Sequence, residues 1–243
     1  IGIVYITHNE TGTGIGNPIR EIGRMAHEHG AIFVTDTTST YAMVPIDVKR
    51  DNIDFCMASA QKGIMGMTGL SFIVGRKDII EKSKDYPKRS YYCNLYMQYD
   101  FFKRTGEMHF TPPVQTIYAA RQALDEYFAE GEEAKWARHT RVMNAIHDGL
   151  AALGFREAIR REIQVGLVAS VIYPDDENWN FEKVHDYCYE RGFTIYPSKI
   201  TGANTFRLCA LGAIDVSDIE DFFAVLKQAL KANNIAIPLK YNN

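Results

Sequence analysis

The sequence has few cysteines, little net charge and no long apolar run. Its four cysteines, Cys56, Cys93, Cys188 and Cys209, form no CxxC pair, so neither a zinc knuckle nor a redox pair is predicted. The seven histidines show no HxxxH spacing, and we expect no bound metal. Reduced, mostly buried thiols are typical of a cytoplasmic protein, which is the location we expect.

Charge and hydropathy also exclude two kinds of partner. A net charge of −3 offers no basic patch that would bind a nucleic-acid backbone or an anionic lipid. No stretch reaches the run of about 18 apolar residues that a membrane span requires. We therefore expect neither a nucleic acid nor a membrane as partner.

The sequence does have the composition of an ordinary globular protein. Its 243 residues are 46% hydrophobic and 23% charged. At about 150 residues per domain, this length predicts one large domain or two smaller ones. Position 1 is Ile rather than Met and lies inside an apolar run, so we expect that further sequence precedes it.

The first half of the chain alternates short apolar runs with an amphipathic segment. Strands are predicted at 1–6, 31–35, 53–58 and 70–75, and a helix between Pro18 and Gly30. This alternation favours an α/β fold with a mainly parallel sheet and flanking helices. In such sheets functional residues gather where the strands end, and polar segments follow the first three strands here.

The second half is richer in helix and ends in a smaller α/β pattern. The predicted elements are helices at 112–128 and 132–153, a strand at 167–173, a helix at 181–191, strands at 193–196 and 205–210, and a helix at 216–233. The last helix has one apolar stripe, with Asp215 or Ser217 as its N-cap. We predict a large domain over 1–140 and a small domain over 141–243, with the long helix connecting them.

Three residues point to a particular chemistry. Asp36 ends a strand, Lys62 follows another strand, and Arg207 lies in the small domain. Each has an ordinary alternative: a turn or helix cap for Asp36, a surface position for Lys62 and a structural salt bridge for Arg207. Pyridoxal phosphate, however, needs a lysine amine for covalent attachment and an acid that keeps its pyridine nitrogen protonated. Asp36 and Lys62 are of these types.

Five segments carry a resemblance to a known family. The stretches T-D-T-T-S-T-Y at 35–41 and S-A-Q-K-G-I-M-G-M-T-G at 59–69 resemble the fold-type I, class V aminotransferases. Three others resemble the 2-aminoethylphosphonate:pyruvate transaminases within that class: H-N-E-T-G-T-G-I-G-N-P at 8–18, F-T-P-P at 110–113, and I-Y-P-S-K-I-T-G-A-N-T-F-R-L at 195–208. The segments occur in the family's order over nearly the whole chain.

The resemblance implies a PLP-dependent transaminase. Such an enzyme passes an amino group from 2-aminoethylphosphonate, or a similar small amine, to pyruvate, giving phosphonoacetaldehyde and alanine. Lys62 would hold the cofactor and then act as the catalytic base, which requires a pKa lowered by burial or by neighbouring cations; the neighbours Ala60, Met65 and Met67 are compatible with that. Asp36 would pair with the pyridine nitrogen. Arg207 would bind the phosphonate or carboxylate of each substrate, which a planar guanidinium can do in a bidentate manner.

The resemblance also implies further cofactor contacts. Glu10 and Thr11 match positions over the ring or near its O3′, although a polar turn would also explain them. Ser59 and Gln61 resemble residues that contact the cofactor phosphate. Thr111 resembles a residue that reaches the phosphate in the neighbouring subunit, which implies a homodimer; it could also cap the helix that follows.

Two departures from the family leave alternatives open. The matched segments place position 1 about a third of the way into longer proteins, so most of the phosphate-binding loop is expected upstream. That segment could precede this one in the same chain, which we favour, form a separate polypeptide, or be lost. The lysine motif Ser-Ala-Gln-Lys differs from the Ala-Asn-Lys typical of these transaminases, so an alanine-glyoxylate or serine-pyruvate transaminase is a second hypothesis. A non-catalytic C-terminal half that needs a partner chain is a third.

Overall fold

The computed structural model describes residues 1–198 and 200–241. Its strands are β1 Ile3–Thr7, β2 Ile32–Asp36, β3 Phe55–Ser59, β4 Ser71–Gly75, β5 Val168–Ile172, β6 Tyr196–Pro197 and β7 Thr205–Cys209. Its α-helices are α1 Ile19–Glu28, α2 Lys77–Lys82, α3 Leu95–Thr105, α4 Val114–Glu130, α5 Glu132–Leu153, α6 Phe181–Tyr189 and α7 Val216–Ala232.

The described chain divides into two compact units by its contacts. The N-terminal unit comprises Ile1–Thr7 with Pro18–Ala129, and the C-terminal unit comprises His8–Asn17 with the chain from Glu130 onward.

The N-terminal unit contains a four-stranded sheet in the order β1-β2-β3-β4. The first three strands run parallel, and β4 pairs antiparallel with β3. Helix α1 connects the parallel strands β1 and β2 and buries Ile19 and Ala26 against Phe33 of β2. These elements confirm the α/β fold with a mainly parallel sheet that the alternating pattern predicted.

The C-terminal unit contains a three-stranded antiparallel sheet in the order β5-β7-β6. Alternate residues of β5 and β7, among them Val171 and Phe206, belong to the same buried core as residues of α5, α6 and α7. Both of these side chains are fully buried. The intervening residues of the strands therefore point to the other face of the sheet.

Helix α7 shows how local sequence fixes an element of this unit. Asp215 is its N-cap and forms a capping box with Asp218, in which each side chain accepts a hydrogen bond from the other residue's backbone N–H. The predicted apolar stripe faces the core: Ile219, Phe222, Leu226 and Leu230 are buried and Phe223 is half-buried. The prediction of this helix is confirmed, with Asp215 rather than Ser217 as the cap.

The two compact units differ in their limits from the predicted domains. The second unit starts at Glu130, because α5 as a whole packs in its core through residues such as Val142 and Leu150. It also includes 8–17, which the sequence placed in the first domain. The division of domains at residue 140 stays a prediction.

Two helices were not predicted from the sequence, and one predicted strand is shorter and shifted. Neither α2 nor α3 buries a residue. The predicted strand at 193–196 is reduced to Tyr196, which begins β6. The N–H of Phe193 instead bonds to the carbonyl of Cys188, which closes the turn after α6.

The buried His139 on α5 should make the protein less stable in mild acid. Burial, followed by the nearby cations Arg138 and Lys135, lowers the pKa of His139 from 6.5 to about 4 despite the opposing charge of Glu130. In the unfolded chain His139 takes up a proton near pH 6.5, whereas in the folded chain it does so only near pH 4. Neutral His139 therefore gives its full contribution to the unfolding free energy above pH 6.5, and this contribution is lost as the pH falls from there to about 4. The loss corresponds to about 3 kcal/mol of unfolding free energy.

Urea denaturation at a series of pH values between neutral and about pH 4 measures this loss. In a His139→Phe variant most of this acid-induced loss of stability should disappear. A His29→Phe variant, changed at an exposed site, should lose stability in acid as the unchanged protein does. Equal pH dependence in the two variants would contradict the assignment to His139.

Candidate active site

Asp36 occupies the C-terminal end of β2. Its side chain is half-buried, and one carboxylate oxygen accepts the N–H of Thr38 at 2.8 Å. The hydroxyl of Tyr5 lies 3.5 Å from the other oxygen, at the long limit of a hydrogen bond. Within residues 1–198 and 200–241 no Lys, Arg or His forms an ion pair with this carboxylate. It is thus available to a protonated nitrogen of a ligand.

The turn that follows Asp36 is tied to the neighbouring strand. Both the N–H and the hydroxyl of Thr37 donate to the carbonyl of Met57 in β3, at 3.1 and 2.8 Å. The N–H groups of Thr40 and Tyr41 in turn bond to the carbonyl of Thr37. These bonds hold the segment after β2 beside the end of β3.

Lys62 lies in a tight turn directly after β3. Its N–H donates to the carbonyl of Ser59, and its own carbonyl accepts the N–H of Met65 at 2.8 Å. The side chains of Lys62 and Gln61 are exposed, and that of Ser59 is half-buried. In the described parts of the chain no carboxylate forms an ion pair with Lys62.

The apolar neighbours of Lys62 in sequence do not bury its side chain. Met65 and Met67 are themselves 37% and 59% exposed, and of the three neighbours only Ala60 is buried. The turn brings Met65 to a positive φ of 66°, so its geometry is set by the backbone and not by apolar packing.

The fold brings the turns of Asp36 and Lys62 together. Strands β2 and β3 are parallel neighbours, so both turns leave the same edge of the sheet. Gly63, next to the lysine, lies against the first turn so closely that a Cβ there would be 2.0 Å from the carbonyl oxygen of Tyr41 and 2.6 Å from Cγ of Met43. Only glycine permits this approach.

Gly63→Ala should therefore displace the lysine turn. Because the added methyl group meets backbone as well as side chain, we expect a loss of about 1–3 kcal/mol in unfolding free energy. Urea denaturation measures it. Gly2→Ala is the matched control, since a Cβ at position 2 has no neighbour within 4 Å, and it should leave the stability unchanged. Equal stability of the two variants would contradict the close contact.

Thr111 belongs to the same unit but is not joined to these residues. It is exposed, and no contact in the described ranges links it to Asp36 or Lys62. Helix α4 begins at Val114, after Pro112 and Pro113, so Thr111 does not occupy its N-cap position. The alternative role of Thr111 as a helix cap was wrong, and its role toward a cofactor phosphate stays a prediction.

Glu10 and Thr11 belong to the C-terminal unit, in the loop over 8–17. The carboxylate of Glu10 accepts the N–H of Gly12 at 3.0 Å, and its carbonyl accepts the N–H groups of Thr13 and Gly14 at 3.1 and 2.7 Å. The loop is thus a compact polar turn, in which Glu10 and Thr11 are exposed. Their predicted contacts with a cofactor ring stay predictions.

Arg207 lies in β7 of the same unit. One N–H of its Nη1 donates to the carbonyl of Thr11 at 2.8 Å, and its guanidinium carbon is 5.9 Å from the ring centre of Tyr196. Among the residues that the structure describes, no carboxylate forms an ion pair with Arg207. The alternative of a structural salt bridge thus lacks an acidic partner, and the guanidinium keeps N–H donors for an anion.

Three residues beside the predicted ones were missed by the sequence reasoning. Tyr5 contacts Asp36 from β1, and Ser170 and Ser198 donate hydrogen bonds to the carbonyl of Gly12. Tyr5 could have been found, since the ends of β1 and β2 were both predicted. The two serines carry no signal in the sequence, because their contacts depend on strand register and on the path of a distant loop.

The described residues contain neither a membrane-spanning helix nor a metal centre. None of their helices combines the length and the hydrophobicity that crossing a bilayer takes. Nor do they bring three His, Cys, Asp or Glu side chains together in a way that could hold an ion.

The fold is that of a known class of enzymes. The structure is similar to that of pyridoxamine-pyruvate aminotransferase from Mesorhizobium loti, with a TM-score of 0.87 at 23% identity over 98% of this chain and 62% of that one. This likeness identifies the fold of the fold-type I, PLP-dependent aminotransferases, as the sequence predicted.

Sequence comparison then gives the family. The chain belongs to the class-V aminotransferases, whose family model matches residues 1–193. It is 36% identical over 230 residues to 2-aminoethylphosphonate--pyruvate transaminase of Phocaeicola vulgatus, covering 94% of this chain and 63% of that protein. It is 32% identical over 238 residues to 2-aminoethylphosphonate--pyruvate transaminase 2 of Paraburkholderia xenovorans, covering 98% of this chain and 64% of the relative. The chain therefore spans a little under two thirds of the length of these relatives.

The family implies pyridoxal 5′-phosphate as cofactor, and the residues of the N-terminal unit fit it. Asp36 and the exposed Lys62 leave the same sheet edge from neighbouring strands, and within the described residues neither forms an ion pair. These are the two groups that the pyridine nitrogen and the aldehyde carbon of this cofactor require.

Proposed function

We propose that the protein is a PLP-dependent aminotransferase that passes the amino group of 2-aminoethylphosphonate to pyruvate, giving phosphonoacetaldehyde and alanine. One structural observation carries the proposal: the turns of Asp36 and Lys62 meet at one sheet edge, in contact at Gly63 and Tyr41. The named relatives, both 2-aminoethylphosphonate--pyruvate transaminases, supply the substrate pair.

Each residue then has a defined task. When bound, the cofactor supplies an electron sink that stabilises negative charge at the substrate carbon. The amine of Lys62 would hold the cofactor and, when free, would serve as the general base that removes the proton from the substrate carbon. The Asp36 carboxylate would hold a proton on the pyridine nitrogen and so keep the ring electron-poor. Ser59, Gln61 and Thr111 would bind the phosphate, and Glu10 and Thr11 would lie by the ring.

Arg207 would bind the anionic end of both substrates in turn. The phosphonate of the amine and the carboxylate of pyruvate each offer two oxygens to the planar guanidinium, which makes paired hydrogen bonds that a lysine cannot reproduce. One arginine can therefore serve a transaminase that handles two different anions.

Amine donors tested singly against pyruvate and against glyoxylate distinguish the substrate hypotheses. With the full-length protein we expect the highest kcat/KM for 2-aminoethylphosphonate with pyruvate, measured as alanine formed. A preference for alanine or serine as donor would favour the alanine-glyoxylate or serine-pyruvate type of enzyme instead. If the protein binds the cofactor but transfers an amino group from none of the donors, the non-catalytic alternative is favoured.

We also propose that the protein acts as a homodimer in the cytoplasm. The position of Thr111 supports the dimer, through the family resemblance of the Phe-Thr-Pro-Pro segment at 110–113. The absence of disulfides supports the location: Cys56, Cys93, Cys188 and Cys209 form none. Whether a further segment or a partner chain completes the cofactor site is tested by whether the 243-residue chain alone binds pyridoxal phosphate.

A further inference from the structure

The sheet of the C-terminal unit carries a row of three residues on the face opposite its helical core. Ser170 in β5 is paired in register with Arg207 in β7, which is paired with Tyr196 in β6. Residues directly opposite one another on neighbouring strands project to the same face. The flanking residues Val171 and Phe206 point to the other face and are fully buried in the core.

The loop over 8–17 is bound by three hydrogen bonds, two from this row and one from Ser198, which lies two residues after Tyr196. Arg207 donates to the carbonyl of Thr11 at 2.8 Å. Ser170 and Ser198 both donate their hydroxyls to the carbonyl of the next residue, Gly12, at 3.0 and 2.6 Å. Side chains of the sheet and of Ser198 thus bind two consecutive carbonyl groups of the loop, those of Thr11 and Gly12.

Both backbone groups of Gly12, its carbonyl and its N–H, are held by hydrogen bonds. Two hydroxyl donors occupy both lone pairs of its carbonyl oxygen, and its N–H is bound by the carboxylate of Glu10 at 3.0 Å. Since Ser170 is fully buried within the sheet, one of these donors has little freedom to move. A fixed Gly12 also fixes the direction of the preceding carbonyl, that of Thr11.

The loop over 8–17 also lies close to β5 at Gly14. Gly14 has a φ of +91°, and a Cβ at this position would lie 2.3 Å from the carbonyl oxygen of Val168 in β5. The same added atom would lie 3.7 Å from Cβ of Val168, whose side chain projects to the same face as that of Ser170, two residues later. The loop therefore lies directly on the sheet, and its carbonyls have a defined place above Arg207.

We propose that Ser170 and Ser198 are positioning residues for Arg207. Through the carbonyls of Gly12 and Thr11 they hold one N–H of the guanidinium, so that the other donors are directed at a phosphonate or carboxylate before it binds. An arginine held in this way loses less side-chain freedom on binding, which raises affinity without a new contact to the ligand. The role of that anion as a substrate rests on the proposed function, whereas anion binding itself does not.

The test uses the full-length protein and ethylphosphonate, an anion that cannot donate an amino group. Isothermal titration calorimetry should show ethylphosphonate binding about threefold weaker in Ser170→Ala and in Ser198→Ala, and about tenfold weaker in the double variant. Ser198→Thr, which keeps the hydroxyl, should restore the affinity. Ser217→Ala, at an exposed position of α7, is the control and should not change it.

Steady-state kinetics provide the second readout. KM for pyruvate should rise by the same factors while kcat stays within about twofold, because the serines act on anion binding and not on proton transfer. A merely structural role would lower the thermal stability at unchanged KM and unchanged ethylphosphonate affinity, and that result would overturn the proposal. A fall in kcat at constant KM would also overturn it. Should the double variant fail to fold, the single variant at the half-buried Ser198 decides.

The two proposals fail in different ways. If the protein binds ethylphosphonate with the predicted dependence on the serines but transfers no amino group, the proposed function fails and the positioning role stands. If it transfers amino groups and the serine variants change neither affinity nor KM, the proposed function stands and the positioning role is wrong.

Discussion

Replacement of Lys62 by alanine should abolish aminotransfer and remove the visible absorbance of the lysine-linked cofactor. The change deletes the amine that we propose both to attach the cofactor and to move the substrate proton as a base. Proton transfer by a positioned base alone contributes about 10²–10⁴-fold to rate, so we expect kcat to fall by at least about 1,000-fold. Absorbance spectra and alanine formation in the full-length protein measure the two losses separately.

Lys49→Ala is the matched control for this experiment. Lys49 is also an exposed lysine of the N-terminal unit, but it lies before β3 and not in the turn that follows β3. Its replacement should leave both spectrum and rate unchanged. A Lys62→Ala protein that kept its absorbance and more than a tenth of its rate would show that another amine holds the cofactor.

Replacement of Asp36 by asparagine should lower kcat by about 100-fold, which corresponds to about 2.7 kcal/mol of activation free energy. The amide is nearly the same size as the carboxylate and can still accept the N–H of Thr38, so the local turn should persist. It carries no negative charge, however, and cannot keep a proton on the pyridine nitrogen. The loss should therefore appear in kcat, while the cofactor remains covalently attached.

Asp47→Asn provides the comparison for Asp36→Asn. Asp47 is an exposed carboxylate of the same unit whose oxygen caps the N–H groups of Lys49 and Arg50. Its change should affect the rate by less than twofold. If Asp36→Asn had a rate as high as Asp47→Asn, Asp36 would be a turn residue only, which is the ordinary alternative for an aspartate at the end of a strand.

The sequence predicted those parts of the fold that depend on local patterns. Helix α5 was predicted over its full observed range because Gly131 separates it from α4, and α7 within one residue because it has a capping Asp215 and one apolar stripe. The placement of Asp36 and Lys62 at one edge followed from the rule that parallel strands end together. Both predictions needed only short segments.

The rest depends on contacts between distant parts of the chain. That residues 8–17 belong with the C-terminal unit is decided by hydrogen bonds to Ser170, Ser198 and Arg207, which lie more than 150 positions away. The apolar neighbours of Lys62 in sequence do not bury its side chain, since Met65 and Met67 are exposed and only Ala60 is buried. Neither periodicity nor residue type carries this information.

We propose that Lys62 and Asp36 serve one pyridoxal phosphate in an aminotransferase specific for an aminophosphonate. The most direct measurement is the absorbance spectrum of the full-length protein with cofactor, before and after 2-aminoethylphosphonate and then after pyruvate. We predict a visible band that the amine removes, that pyruvate restores with release of alanine, and that the Lys62→Ala protein lacks. A protein that stays colourless with added cofactor, or whose band the amine leaves unchanged, would contradict the account.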